Sequence, residues 1–282
     1  MPSASYLAVT YEALPDAQDV LVAEAWSAGT LGCQVNGHQV VAYFVDSGGD
    51  PTTAMRLTPG VREVDCHRVD DRDWLAAYRN SISLIPVGDS WLLDPREPDA
   101  GEPARAGNRV VLRLPARRAF GTGGHESTRL ALRLLERVSV SRRSVLDFGY
   151  GSGVLSFAAI SLGAARCVGI GRDPIAALVG GLNRTLNRSL CRGLFLMAAD
   201  PEALADVAWV DILLVNVRPE GWLPSAESLQ AGLRPGAEII CSGFLGSEVE
   251  DLGQEFAALN WQPTEWMREN EWGASLLRVG PA

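Results

Sequence analysis

The chain contains no lysine: all 25 of its basic side chains are arginine, set against 34 acidic ones, for a formal net charge of −9. An acidic chain without lysine clusters lacks the cation density that phosphate backbones and anionic lipids require. A general nucleic-acid or membrane-surface binder is therefore excluded. With 29 glycines and 16 prolines alongside, the missing lysine reads as coding bias. Cysteine is sparse as well. Cys33, Cys66, Cys167, Cys191 and Cys241 are scattered, odd in number and never paired as CxxC, so neither a disulfide framework nor a thiolate metal site is expected. The three histidines, His38, His67 and His125, are far apart, and Cys66 and His67 are adjacent rather than spaced as ligands; no metal site is expected. No run of 18 uncharged apolar residues is present, which argues against a transmembrane helix. The opening MPSASYLAV has no basic stretch of the kind that begins a signal peptide. These absences together predict a cytoplasmic protein with reduced thiols.

What is present suits two domains. The length is 282 residues with 47% hydrophobic side chains, at a usual ~100–200 residues per domain. The charge is divided unevenly: the first 100 residues carry 15 acidic and 6 basic side chains, and the remainder carries 19 of each. The whole net charge thus lies in the first third, which suits either plain solubility or a basic partner. Residues Ser5 to Ala13 alternate as a strand, and Asp16 to Ala28 has helical apolar spacing closed by Gly29. Leu31 to Val35 and His38 to Val45 flank Asn36-Gly37, a pair suited to a type I′ hairpin turn. Val61 to Cys66 is a further strand, Asp70 to Arg79 a short helix, and strands near residues 81–86 and 90–93 follow. This order predicts a ferredoxin-like α+β domain over residues 1–93. The segment DPREPDAGEPARAGN, residues 94–108, is dominated by proline, glycine and charge and reads as a linker.

From residue 109 to 282 strands and helices alternate. Strands are expected at Arg109–Leu114, Ser144–Phe148, Arg166–Ile170, Leu194–Met197, Val210–Asn216 and Ala237–Ser242, with two more near Trp261–Met267 and Ala274–Val279. Helices are expected at Glu126–Val138, Val154–Leu162, Ile175–Asn187, Pro201–Val207, Pro224–Leu233 and Ser247–Leu259. Such alternation implies βαβ crossovers and a mostly parallel sheet covered on both faces.

The strand SVLDFG runs directly into YGSGVLSFAAISL, so Gly149, Gly151 and Gly153 form a glycine turn between a strand and a helix, with Asp147 just inside the strand. Glycine lets the backbone bend sharply and approach a ligand, and the helix N-terminus behind it offers free N–H groups. The spacing is G-x-G-x-G rather than the G-x-G-x-x-G of dinucleotide-binding turns. It is similar to the nucleoside-binding turn of S-adenosylmethionine-dependent methyltransferases.

Three blocks sharpen that likeness: AFGTGGHESTRLAL from Ala119, VLDFGYGSGVLSFAAISLGAARCVGIGRDP from Val145, and DILLVNV from Asp211. In order and spacing they resemble the ribosomal protein L-eleven methyltransferase family (PrmA), and DDRDWLAAYR from Asp70 is similar to its Asp/Trp-containing helix. The resemblance implies a Rossmann-like class I methyltransferase domain with a mostly parallel seven-stranded sheet, preceded by the smaller ferredoxin-like domain. It implies S-adenosyl-L-methionine as cofactor and N-methylation of lysine side chains on a basic protein substrate, a large-subunit ribosomal protein. Carried over by position, it implies that Thr128, with Ser127 before it, contacts the cofactor, that Gly149 opens the cofactor turn, and that Asn216 stands where the methyl acceptor enters. Asp147, Gly149, Gly151, Gly153, Thr128, Asn216 and the Gly171 position form the expected cofactor site, with Asn216 also catalytic. Each also has a plainer role open to it: Thr128 as a helix-start cap, His125 as an exposed loop residue, Asn216 as a strand end.

Three positions depart from the family pattern. The second strand usually ends in an Asp that accepts hydrogen bonds from the ribose, and here GIGRDP places Gly171 there, followed by Arg172. Loss of hydrogen bonds to a charged group weakens binding by ~1.5–3 kcal/mol each. Tyr150 stands at a position that is commonly small, where its phenol either crowds the cofactor or swings outward. Arg218 replaces an apolar residue and would disfavour a protonated lysine at the acceptor entrance. Two alternatives to the lysine methyltransferase reading follow: a catalytically weak or inactive binding protein of the same fold, or a methyltransferase with a different acceptor.

Overall fold

The period-two pattern of the first strands determines how they pack. The computed structural model describes residues 5–30, 32–46, 55, 60–70, 83–96, 101, 107–115, 124–200 and 208–281. In β1 (Ser5–Ala13), Val9, Tyr11 and Ala13 are buried; in β3 (Gln39–Val45), so are Val40, Ala42 and Phe44. Helix α1 (Pro15–Ser27) adds Leu21 and Ala25, one turn apart, to the same core. With β2 (Gly32–Asn36) and β4 (Val61–Asp70) these strands form an antiparallel sheet in the order β2-β3-β1-β4, the sheet of the expected ferredoxin-like domain. The hairpin forms one residue later than expected. Asn36 pairs with Gln39, which leaves Gly37 and His38 as the two loop residues, and Gly37 takes φ +60°. Glycine at the first central position with positive φ suits a type II′ turn, not type I′. The helix expected over Asp70–Arg79 lies outside the described residues except for Asp70, which ends β4.

The chain divides at residues 81 and 82, not at 93. β5 (Ile85–Val87) and β6 (Trp91–Asp94), expected to close the first domain, belong to the second unit with β7 (Val110–Arg113). β6 and β7 pair in parallel, Trp91 with Val110 through Asp94 with Arg113. Parallel neighbours require a long crossover. The segment read as a linker, 94–108, joins these two strands in sequence, and most of it lies outside the described residues. Asp94 itself is fully buried and binds the Arg96 guanidinium at 2.7 and 2.9 Å.

The main sheet has seven strands: β8 (Ser144–Phe148), β9 (Arg166–Gly171), β10 (Leu194–Ala198), β11 (Val210–Asn216), β12 (Leu233–Leu245), β13 (Trp261–Glu269) and β14 (Trp272–Val279). Their order is β10-β9-β8-β11-β12-β14-β13, and β14 runs antiparallel to both its neighbours. The helices are α2 (Glu126–Leu135), α3 (Val154–Ser161), α4 (Pro174–Leu186), the single turn α5 (Pro219–Trp222), α6 (Ala226–Ala231) and α7 (Val249–Ala258). The helix expected over Pro201–Val207 lies outside the described residues. The strand interiors are buried on both faces, which is why Ile212 to Val215 is an unbroken apolar run. Val145, Ile212, Leu214 and Ile240 join one core, and Leu146, Leu213, Val215 and Ile239 join the other. Among the described residues no helix is long and apolar enough to cross a membrane.

The order reverses at β8: the chain steps outward through β9 and β10, then returns to β11 on the other side. Open α/β sheets bind ligands outside the carboxyl ends of the strands at such a switch point. Gly149, just after β8, and Asn216, at the end of β11, flank it.

Candidate functional site

Asp147 is 1% exposed and its carboxylate accepts a 2.6 Å hydrogen bond from the Ser156 hydroxyl on α3. Burial raises its pKa to about 6, offset in part by that hydrogen bond. The turn beyond it is bent as the glycines allow, with φ of +71°, +53° and +84° at Gly149, Gly151 and Gly153. At Gly149 there is also no space for a side chain, because a Cβ would collide with Cγ2 of Val217. The Gly149 N–H donates to the Ile170 carbonyl at 2.8 Å and the Gly153 N–H to the Tyr150 carbonyl at 2.7 Å, which tie the turn to β9 and to itself. Gly153 caps α3 without a side chain of its own; the Val154 N–H donates to the Ser152 hydroxyl at 3.3 Å and the Ser156 N–H to the Asp147 carboxylate, which use two of the donors at the helix start.

Across the switch point the Asn216 amide Nδ2 donates to Thr128 Oγ1 at 3.1 Å. Thr128 lies in the first turn of α2 and is fully buried. The other amide atom of Asn216, its carbonyl Oδ1, is buried and has no partner among the described residues. A buried acceptor without a partner is costly to keep and calls for an explanation. Ser242, opposite Asn216 on β12, donates to the Ser127 carbonyl at 2.9 Å and so fixes α2 over the sheet. Sequence reasoning missed Ser156, Ser242 and Val217, because each acts through a partner remote in the chain.

His125 is the N-cap of α2 and not an exposed loop residue: its Nδ1 accepts from the Ser127 N–H at 3.3 Å, and its ring sits edge-on to Trp272 at 4.4 Å. Burial pushes its pKa below the usual histidine value, with neighbouring charges making smaller and opposing contributions. The FGTG residues that precede it lie outside the described residues.

The three departures are now placed. Arg218 does not stand as a bare cation: its guanidinium grips Glu248 in bidentate fashion at 2.9 and 2.6 Å and lies over the Trp272 ring at 5.9 Å. Glu248 also accepts from the Leu245 N–H at 2.6 Å. The charge expected to repel a lysine is thereby compensated. Tyr150 turns inward and is 4% exposed. Gly171 ends β9 and offers no side-chain acceptor. Arg172 pairs with Asp200, and Asp173 precedes α4, where its carbonyl receives the Ala176 N–H at 3.1 Å. A cleft of about 480 Å³ opens here, lined by Arg172, Ala198, Ala199 and Asp200 at the carboxyl ends of β9 and β10.

Comparison with known proteins agrees with this geometry. The family described as ribosomal protein L11 methyltransferase (PrmA) matches over residues 23–278. A ribosomal protein L11 methyltransferase of Cupriavidus taiwanensis is 32% identical over 244 residues, covering 84% of this chain and 78% of its own. One from Xanthomonas oryzae pv. oryzae is 31% identical over 237 residues, covering 80% and 74%. The solved structure of a ribosomal protein L11 methylase from Lactobacillus delbrueckii subsp. bulgaricus superposes with a TM-score of 0.64 at 24% identity, over 71% of this chain and all of that one, and so shares the fold. With a matching region that runs from inside the first unit's helix through the glycine turn and the Asn216 strand end, this chain belongs to the ribosomal protein L11 methyltransferase (PrmA) family.

Proposed function

We propose that this protein transfers methyl groups from S-adenosyl-L-methionine to amines of ribosomal protein L11. The observation that carries the reading is the Asn216–Thr128 pair at the switch point, which leaves the Asn216 carbonyl unpaired and buried beside the glycine turn. The residues present fit the cofactor: the three positive-φ glycines give a backbone cradle at the end of β8, and Thr128, Asp147 and Asn216 surround it. When bound, the cofactor supplies an activated methyl group. The chain's own work is to orient the acceptor. An amine must be neutral to react, and the Asn216 Oδ1 accepts one of its hydrogens and aims its lone pair while burial disfavours the ammonium form.

The acidic first 100 residues suit a basic protein partner, whose approach they would steer. The five free cysteines support a cytoplasmic setting. Incubation with tritiated S-adenosylmethionine and purified ribosomal protein L11 tests the reading; absence of label at saturating cofactor rejects it. A second reading, the same fold without turnover, is favoured by Gly171 alone. Titration with S-adenosylhomocysteine separates it, because a silent pocket gives no heat at millimolar ligand.

A further inference from the structure

The space around Tyr150 is built for a phenol. A Cβ at Gly169 would lie 2.6 Å from Cδ2 of Leu196 and 3.0 Å from the Tyr150 Cγ, and one at Gly180 on α4 would lie 2.9 Å from Cδ1 of Leu196 and 3.1 Å from the Tyr150 Cε2. The ring and Leu196 together fill the space beside these two glycines, and neither position has room for a side chain. Gly171 differs. A Cβ there meets the ring's Cδ1 and Cε1 at 3.8 Å and the Gly149 Cα at 3.9 Å, which is ordinary contact. The bare strand end is therefore not demanded by sterics.

These contacts also orient the ring. Gly169 and Gly171 face the same side of β9, being two residues apart. The base of the ring lies at Gly169, and its Cδ1–Cε1 edge lies at Gly171. The phenol thus runs along β9 toward the strand's carboxyl end, on the side where a residue at 171 would project across Gly149. Its hydroxyl is buried and has no partner among the described residues. Burial, with the carboxylates of Asp147 and Asp173 adding to it, holds the phenol in its protonated form, as a donor. A buried hydroxyl without a partner is costly to keep, and the ring that carries it has its Cδ1–Cε1 edge 3.8 Å from where a Cβ at position 171 would stand, the position where the chain lacks the acceptor that the cofactor's ribose would require.

We propose that Tyr150 takes over ribose recognition from the missing strand-end carboxylate, its hydroxyl exchanging a hydrogen bond with a ribose hydroxyl of the cofactor. The inference rests on the cofactor reading above. It makes Tyr150 a binding residue at the strand end that Gly171 leaves bare.

Isothermal titration with S-adenosylhomocysteine and its 2′-deoxy and 3′-deoxy analogues tests the proposal. The unaltered chain should prefer the full ribose over one of the deoxy analogues by about tenfold or more. Tyr150→Phe keeps the ring and should fold normally. It should weaken binding of the parent ligand about tenfold, leave that deoxy analogue unchanged and so abolish the preference. Tyr150→Phe combined with Gly171→Asp should restore it. Unchanged or tighter binding by Tyr150→Phe, or an undiminished ribose preference, would overturn the proposal and leave the cofactor reading intact. No binding by the unaltered chain at millimolar ligand would overturn both.

Discussion

Asn216 and Thr128 lie 88 residues apart in sequence and are joined by a 3.1 Å hydrogen bond from the asparagine amide to the threonine hydroxyl. The bond uses one end of the amide and fixes the direction of the other. Removing the acceptor by Asn216→Ala should lower the rate of methyl transfer by about a hundredfold, the scale for loss of one positioned polar group in a reaction site. Thr128→Val keeps the side-chain shape and frees the amide to rotate. It should lower kcat by a smaller factor. Label incorporation with saturating cofactor checks both, and equal rates for Thr128→Val and parent would show that the bond does not orient Asn216.

Glu248 compensates Arg218 at the acceptor side. The pair is partly open to solvent, so Glu248→Gln should lower stability by only ~0.5–1 kcal/mol. Its larger effect should be on the acceptor: Arg218 would keep only the exposed Glu220 carboxylate at 3.5 Å, and the less compensated guanidinium should raise KM for a lysine-bearing substrate, an increase that added salt should shrink. The hydrogen bonds from Arg218 hold the Glu248 carboxyl below its usual pKa. The stability that it contributes is therefore present at neutral pH and is lost as pH falls through that lowered value. A KM for ribosomal protein L11 that is the same in Glu248→Gln at low salt would contradict this.

The buried Asp147 has the opposite dependence. Its pKa is raised from 3.8 to about 6, so the folded protein holds this proton longer than the unfolded chain does. Stability falls as pH rises between those two values and then levels off, by up to ~3 kcal/mol. Asp147→Asn should be relatively more stable at pH 7 than at pH 4 when urea midpoints are compared with the parent. A difference that does not vary with pH would refute the assignment.

Gly149→Ala places a methyl group against Val217 in a backbone conformation, φ +71°, that alanine adopts at a cost. The strain of the left-handed conformation alone is of order 1–3 kcal/mol. Thermal unfolding should shift downward and titration with S-adenosylhomocysteine should weaken sharply. Combining the change with Val217→Ala should recover part of the stability but less of the binding.

Asn187 is a structural counterpart with no role in the site. It donates to the Arg113 carbonyl at 2.8 Å and accepts from the Arg113 N–H at 2.9 Å, and so clasps β7 from the end of α4. Asn187→Ala leaves two backbone groups unpaired and should cost ~2 kcal/mol in urea unfolding. Cofactor affinity should not change.

How much of this was legible in the sequence differed by the range of the interaction concerned. Apolar runs such as Ile212–Val215 and the glycine turn are local patterns, and they place the parallel sheet and the strand-to-helix turn after β8 correctly. The domain division was not local. Trp91 and Leu93 alternate like the strands before them, and only their pairing with Val110 and Leu112 shows to which sheet they belong. The Gly171 departure was visible at once, but the inward turn of Tyr150 shows only once β9, α4 and Leu196 of β10 are packed around it. Arg218 read as a repelling charge because Glu248, 30 residues later, could not be assigned to it.

The slot around Tyr150 is walled by more than the ring itself. A methyl group at 169 or 180 would meet Leu196 first and the Tyr150 ring second, whereas 171 is open to one. Making Tyr150 small should therefore not be enough to admit alanine at 169 or 180, and a smaller residue at Leu196 should be needed as well.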